Sequence, residues 1–243
     1  MPMVRTPKKT RKNSVYLLVG ALGLLAVVGG FLTTYISPVL EGRFTAPLIV
    51  HVHGGAAFGW ILLFLVQSIA VKFNNFRLHR GLGYFGMLLA LGIVLTMIPV
   101  GLFQVEKGLL AGDGDTAISG IVGVVTTTVM FACLVGGGYV YRRKPKIHKR
   151  LLLLSTIVLL WPAWFRFRHY LPSVPRPDIW FAVVLADSLI ILAWAADKAS
   201  FGKVHPVLLY GGLFIIGEHI FEVLMFDHPA WRALAGSIYE AFQ

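Results

Sequence analysis

The sequence predicts an all-α integral membrane protein, a bundle of about seven transmembrane helices, and three observations predict it. First, 57% of the 243 residues are hydrophobic and only 14% are charged, against roughly 25% charged in an ordinary soluble domain. Second, the apolar residues gather in runs of about 20, the length that crosses a hydrocarbon core at about 1.5 Å per residue. Third, the basic residues sit in short tracts between those runs, as they do where they orient a polytopic membrane protein.

The runs cover 14–36, 46–71, 79–104, 117–141, 149–171, 178–197 and 204–227. Residues 1–13 form a basic tail with no small-residue cleavage site after a short apolar region, so they read as a cytoplasmic tail before a retained first helix. Ser37-Pro38, Asp113-Gly114-Asp115, Lys144-Pro145-Lys146 and Pro172 to Pro177 punctuate the spans. The fifth run departs from the pattern, with Pro162, Arg166 and Arg168 in its outer half. Residues 228–243 carry Trp231, Arg232 and Tyr239 and read as a short interfacial helix. No polar stretch is long enough for a second domain, so 14–227 is taken as one transmembrane unit.

The formal charge of +11 is decided by where the charges lie. With the N-terminus inside, one side holds Arg5, Lys8, Lys9, Arg11, Lys12, Lys72, Arg77, Arg80, Arg142, Arg143, Lys144, Lys146, Lys149, Arg150, Lys198 and Lys203. The other holds Arg43, Lys107, Arg166, Arg168, Arg176 and Arg232. That bias places the N-terminus in the cytoplasm and the C-terminus outside. It leaves no basic, aromatic-studded surface for nucleic acid; the expected partners are the lipid bilayer and other membrane protein subunits. The single cysteine, Cys133, lies inside an apolar run, which excludes a disulfide framework or cysteine-ligated cluster within one chain. Gly55 and Gly59 make a GxxxG step in the second run, and Gly136, Gly137 and Gly138 stand in the fourth; both predict close helix packing.

Polar groups are costly inside a bilayer, so each is a functional candidate. His53 lies about 9 Å down from the outer end of its span and His219 about 12 Å down. Two imidazoles at one level can ligate a transition metal or a haem iron between helices. His51 points about 200° away from His53 around the helix, so only one of them faces a given site. Glu222 shares the face of His219 at i+3 and supplies a carboxylate for a non-haem site, with Glu218 adjacent. Asp187 lies near the membrane midplane, where a proton-relay acid and a neutral hydrogen-bonding partner are equally expected.

A second spacing supports haem b. His205 and His219 are 14 residues apart, about 21 Å of rise and about 40° of rotation, so one helix can present two axial ligands. The second span breaks the pattern, since Gln67, not histidine, stands 14 residues after His53. An inner haem would then need His79 or His148. Arg166 and Arg168 lie at the outer surface, where they pair with haem propionates or snorkel in an aromatic belt with Trp161 and Trp164. Plainer readings compete throughout. His79 and His148 stand where helices leave basic loops, which suits headgroup contact or capping. His205 precedes a first-turn proline. His53 and His219 suit simple interhelical hydrogen bonds.

No P-loop, Rossmann glycine pattern, GxSxG elbow or HExxH motif occurs, and no motif assigns a catalytic reaction. The strings His51-Val52-His53-Gly54, Leu78-His79-Arg80-Gly81-Leu82-Gly83 and Lys146-Ile147-His148-Lys149-Arg150 resemble a family of uncharacterised bacterial multi-pass membrane proteins. That family is loosely similar to b-type membrane cytochromes. The resemblance covers about residues 46 to 170, implies a bacterial inner membrane, and brings no established activity. The leading expectation is a membrane haem- or metal-binding protein with a site near the outer face, serving electron transfer or respiratory-complex assembly. A non-enzymatic accessory or scaffold subunit and a proton-coupled transporter using Asp187 stand beside it.

Overall fold

The computed structural model describes residues 15–242; the basic tail 1–13 lies outside the described residues. Seven helices are long and apolar enough to cross a membrane: α1 Val15–Leu40, α2 Leu48–Lys72, α3 Phe76–Leu110, α4 Asp115–Val140, α5 Pro145–Phe165, α6 Asp178–Phe201 and α7 Pro206–Met225. Arg166–His169 extends α5 by one 3-10 turn. An eighth helix, α8 Pro229–Ala241, follows. Among the described residues there is no strand, as expected of a chain that must satisfy its backbone inside each span.

The ends of the spans follow local chemistry. Pro145 and Pro206 occupy the first turns of α5 and α7, where a missing N–H costs nothing. Asn75 caps α3 by accepting from Leu78 N–H at 3.1 Å. Pro38 cannot donate to the turn below it, and the preceding residues Leu32–Ile36 widen into π-helical turns. The same widening occupies Asp178–Leu185, directly before Asp187. It escaped the hydropathy pattern because it changes winding and not composition.

Helix α5 is the hub and the most enclosed span, packed against α1, α2, α4, α6 and α7. Leu153, Leu154, Ile157, Val158 and Leu160 lie fully inside the core. At mid-depth Trp60 of α2 donates Nε1–H to Thr156 Oγ1 at 3.2 Å and meets Phe131 of α4 edge-on at 5.2 Å. Trp194 Nε1–H donates to the Leu208 carbonyl at 2.8 Å and pins α6 to α7. Helix α8 folds back on α4, with Trp231 and Ala235 buried and Trp231 Nε1–H donating to the Ser119 carbonyl at 3.1 Å.

Because successive spans alternate in direction, the loops Phe73–Asn75, Tyr141–Lys144 and Gly202–His205 share one end, the basic end. There Arg150 and Asp197, both about 97% enclosed, make a forked ion pair: Nε–Oδ2 2.8 Å and Nη2–Oδ1 2.7 Å. His53, Asp187 and His219 lie toward the opposite end. The predicted GxxxG contact does not form as expected. Gly55 has open space beside it and Gly59 meets only Leu89 at ordinary distance, because the α2 face that packs is the one carrying Trp60 and Leu63. Of the glycines in α4, Gly138 is the one that lets Leu152 approach.

Candidate functional site

The most concentrated chemistry in the bundle joins α4, α6 and α7. Asp187 is 4% exposed and stands in the first α-helical turn after the π-wound segment of α6. His219, on α7, is 3% exposed, and its Nδ1–H donates to Asp187 Oδ1 at 2.9 Å. A carboxylate oxygen only accepts, so Nδ1 carries a proton whichever state Nε2 is in. Glu218 Oε2 lies 3.9 Å from that Nε2 and, like Asp187 Oδ2, is buried without a hydrogen-bond partner. Glu222, one turn further along the same face, is also buried. Its carboxylate fills the space over Gly123 of α4 that a Cβ would need, so glycine is required there by the close approach.

Three carboxyl groups and one imidazole thus stand close together, all buried but Glu218, whose side chain is 14% exposed. Among the described residues, His219 is the basic side chain within 4 Å of Asp187 and of Glu218, so one imidazole stands against three carboxyl groups. The arginines at this end are engaged elsewhere. Arg166 lies over the Phe31 ring at 4.0 Å and donates to the Pro162 carbonyl at 2.8 Å. Arg168 lies over Phe165 at 3.8 Å and donates to the Phe165 carbonyl at 2.9 Å. Buried carboxylates without cationic partners are held by protons or by a bound cation.

His53 forms a separate contact between α2 and α3. Its Nδ1 is 2.9 Å from Thr96 Oγ1, and that hydroxyl spends its proton on the Gly92 carbonyl at 2.6 Å. Thr96 therefore accepts from His53 Nδ1–H, and Nε2 is left bare. His51 points the other way, as its helical position predicts: Nδ1 meets Tyr35 Oη at 2.7 Å, and the ring packs against Phe44. His205 spends Nδ1 as the cap of α7, accepting from Val207 N–H at 3.2 Å. Burial and then the nearby Arg150 charge lower its pKa below the usual imidazole range. Gln67 stands against Gly83 of α3 with its buried Oε1 unpartnered. Trp164 stacks near Phe167, with a buried Nε1 that is also unpartnered.

The structure thus brings Asp187, Glu218, His219 and Glu222 together and gives His53 its own partner on another pair of helices. Among the described residues, no group of three or more His, Cys, Asp or Glu side chains is arranged so that it could hold a metal ion. No protein-family model, curated protein or solved structure matches the chain. Thr96 and Gly123 escaped the sequence reading. Thr96 had a usable signal, a lone hydroxyl about 12 Å from the end of its run and so level with His53; Gly123 had none, since nothing in the sequence says which glycine a buried carboxylate will cover.

Histidines 79 and 148 meet at the basic end. Asn75, not His79, caps α3, while His148 closes the C-terminal turn of α4, as a capping histidine would. The two imidazole centroids lie 6.3 Å apart at 82°, and His148 Nδ1–H donates to the Gly138 carbonyl at 2.8 Å.

Proposed function

We propose that this seven-span protein is a membrane cofactor protein of a bacterial inner membrane, binding a transition-metal ion or haem iron in the outer half of the bundle. Its purpose on this reading is electron transfer or assembly of a respiratory complex. The observation that carries the reading is His219. Its Nδ1 is anchored on the buried carboxylate of Asp187, and a partnerless oxygen of Glu218 stands 3.9 Å from its Nε2. A carboxylate that orients an imidazole and raises its basicity is the usual support of a metal-ligating histidine. Imidazole with carboxylate donors suits iron, manganese, nickel or zinc. His53, anchored on Thr96 between a different pair of helices, is a separate imidazole donor, so haem at the cluster would be held by His219 as its one protein imidazole. The test is the absorbance spectrum and elemental analysis of protein purified in detergent. A Soret band, or about one metal per chain that falls in His219→Gln, supports the reading; neither signal in the wild type overturns it.

One observation favours a second reading, a proton-coupled transporter. Asp187 Oδ2 is buried and unpartnered, in the first turn after a π-wound segment, and such segments often mark working sites. Proton uptake by reconstituted vesicles that is abolished in Asp187→Asn, with metal and haem absent, selects this reading over the first.

A further inference from the structure

At the basic end, two loop-to-helix junctions bring two histidines to the same place. His79 lies in the first turn of α3 and His148 in the first turn of α5, so α2–α3 and α4–α5 each deliver one imidazole by the same local arrangement. We propose that His79 and His148 form a second transition-metal site at this end, distinct from the carboxylate-rich cluster around His219.

Four features carry the assignment. The rings are half-buried, and their centroids are 6.3 Å apart. Two imidazoles on one ion, with metal–nitrogen bonds of about 2.0–2.1 Å, have centroids roughly 5 to 6.5 Å apart, depending on the bond angle. The tautomer of His148 is fixed, because a carbonyl oxygen accepts from its Nδ1 and leaves Nε2 with a lone pair. His79 Nδ1 is buried with no hydrogen-bond partner, an unpaid cost unless something occupies it. One turn beyond His79 on α3 stands Gly83, and against it lies Gln67, whose buried Oε1 is also unpartnered.

The donor set selects the ligand. Two imidazoles, with no carboxylate among them, disfavour Mg²⁺ and Ca²⁺ and suit Zn²⁺, Ni²⁺ or Cu²⁺. The surrounding basic residues do not aim their charge into the pair. Arg80 donates to the Phe76 carbonyl, and Arg142 folds onto Tyr139, with its guanidinium 4.2 Å from that ring.

The experiment is a Zn²⁺ and Ni²⁺ titration of the full chain, purified in detergent without a histidine tag. One class of binding is expected to survive His53→Gln and His219→Gln and to weaken at least tenfold in His79→Gln and in His148→Gln. Unchanged binding in both inner variants overturns the proposal. A second measurement needs only the wild type: carbethoxylation of histidines by diethyl pyrocarbonate, read by mass spectrometry with and without saturating Zn²⁺. Joint protection of His79 and His148 supports the site, and equal reactivity with and without metal overturns it.

Discussion

Replacing Asp197 by alanine removes the acceptor half of the forked ion pair that closes the basic end. Arg150 is 3% exposed and Asp197 2% exposed, so water does not take over the lost bonds. In the native chain the carboxylate receives Arg150 Nε–H at 2.8 Å, Nη2–H at 2.7 Å and the backbone N–H of His205 at 3.2 Å. After the substitution the guanidinium keeps its bond to the Lys146 carbonyl at 2.7 Å and otherwise carries an unmatched buried charge. Breaking such a pair from one side costs about 3–5 kcal/mol. That is roughly two to four powers of ten in the folding equilibrium, at about 1.36 kcal/mol per factor of ten. Removing both charges together, as Arg150→Met with Asp197→Leu, is expected to recover most of the loss, because the desolvation cost disappears with the pair. Denaturant unfolding in detergent micelles, followed by tryptophan fluorescence, measures all three proteins. A loss below about 1 kcal/mol in Asp197→Ala, or a double variant less stable than the single one, would refute the reasoning from burial and geometry.

Gly123→Ala places a methyl where the Glu222 carboxylate sits; a loss of about 1–3 kcal/mol is expected on overpacking, with weaker metal retention, read by unfolding and elemental analysis. Trp231→Phe removes the bond to the Ser119 carbonyl, and faster proteolysis within α8 than in the wild type is the expected result. For His205 the folded pKa lies below the ordinary value, so the unfolded chain takes up this proton first as pH falls through about 6.5. The stability from its cap is intact above that pH and is lost as pH drops through the lower folded value. His205→Asn keeps a capping acceptor and is expected to flatten that part of the pH–stability curve.

The seven spans were legible in the sequence because length, apolarity and punctuating prolines act locally, and the boundaries moved by only a few residues. Helix α3 runs to Leu110 and α1 to Leu40 because amphipathic turns continue a helix past its apolar run. The chemistry was legible in part. Glu222 beside His219 and the opposed directions of His51 and His53 follow from rotation along one helix. The pairing of Asp187 with His219 needed the relative rotation of α6 and α7, which π winding alters before Asp187. The meeting of His79 with His148 depended on two loops delivering rings inward from helices far apart in the chain. Helical period alone gives no access to either.

The central claim is that the cluster of Asp187, Glu218, His219 and Glu222 holds a metal ion or haem iron through His219. X-ray absorption at the edge of whatever metal co-purifies with the chain tests it most directly. In a His148→Gln background, which removes the second pair of imidazoles, an imidazole contribution to the scattering is expected and is lost when His219→Gln is added. A coordination shell in that background left unchanged by His219→Gln would contradict it.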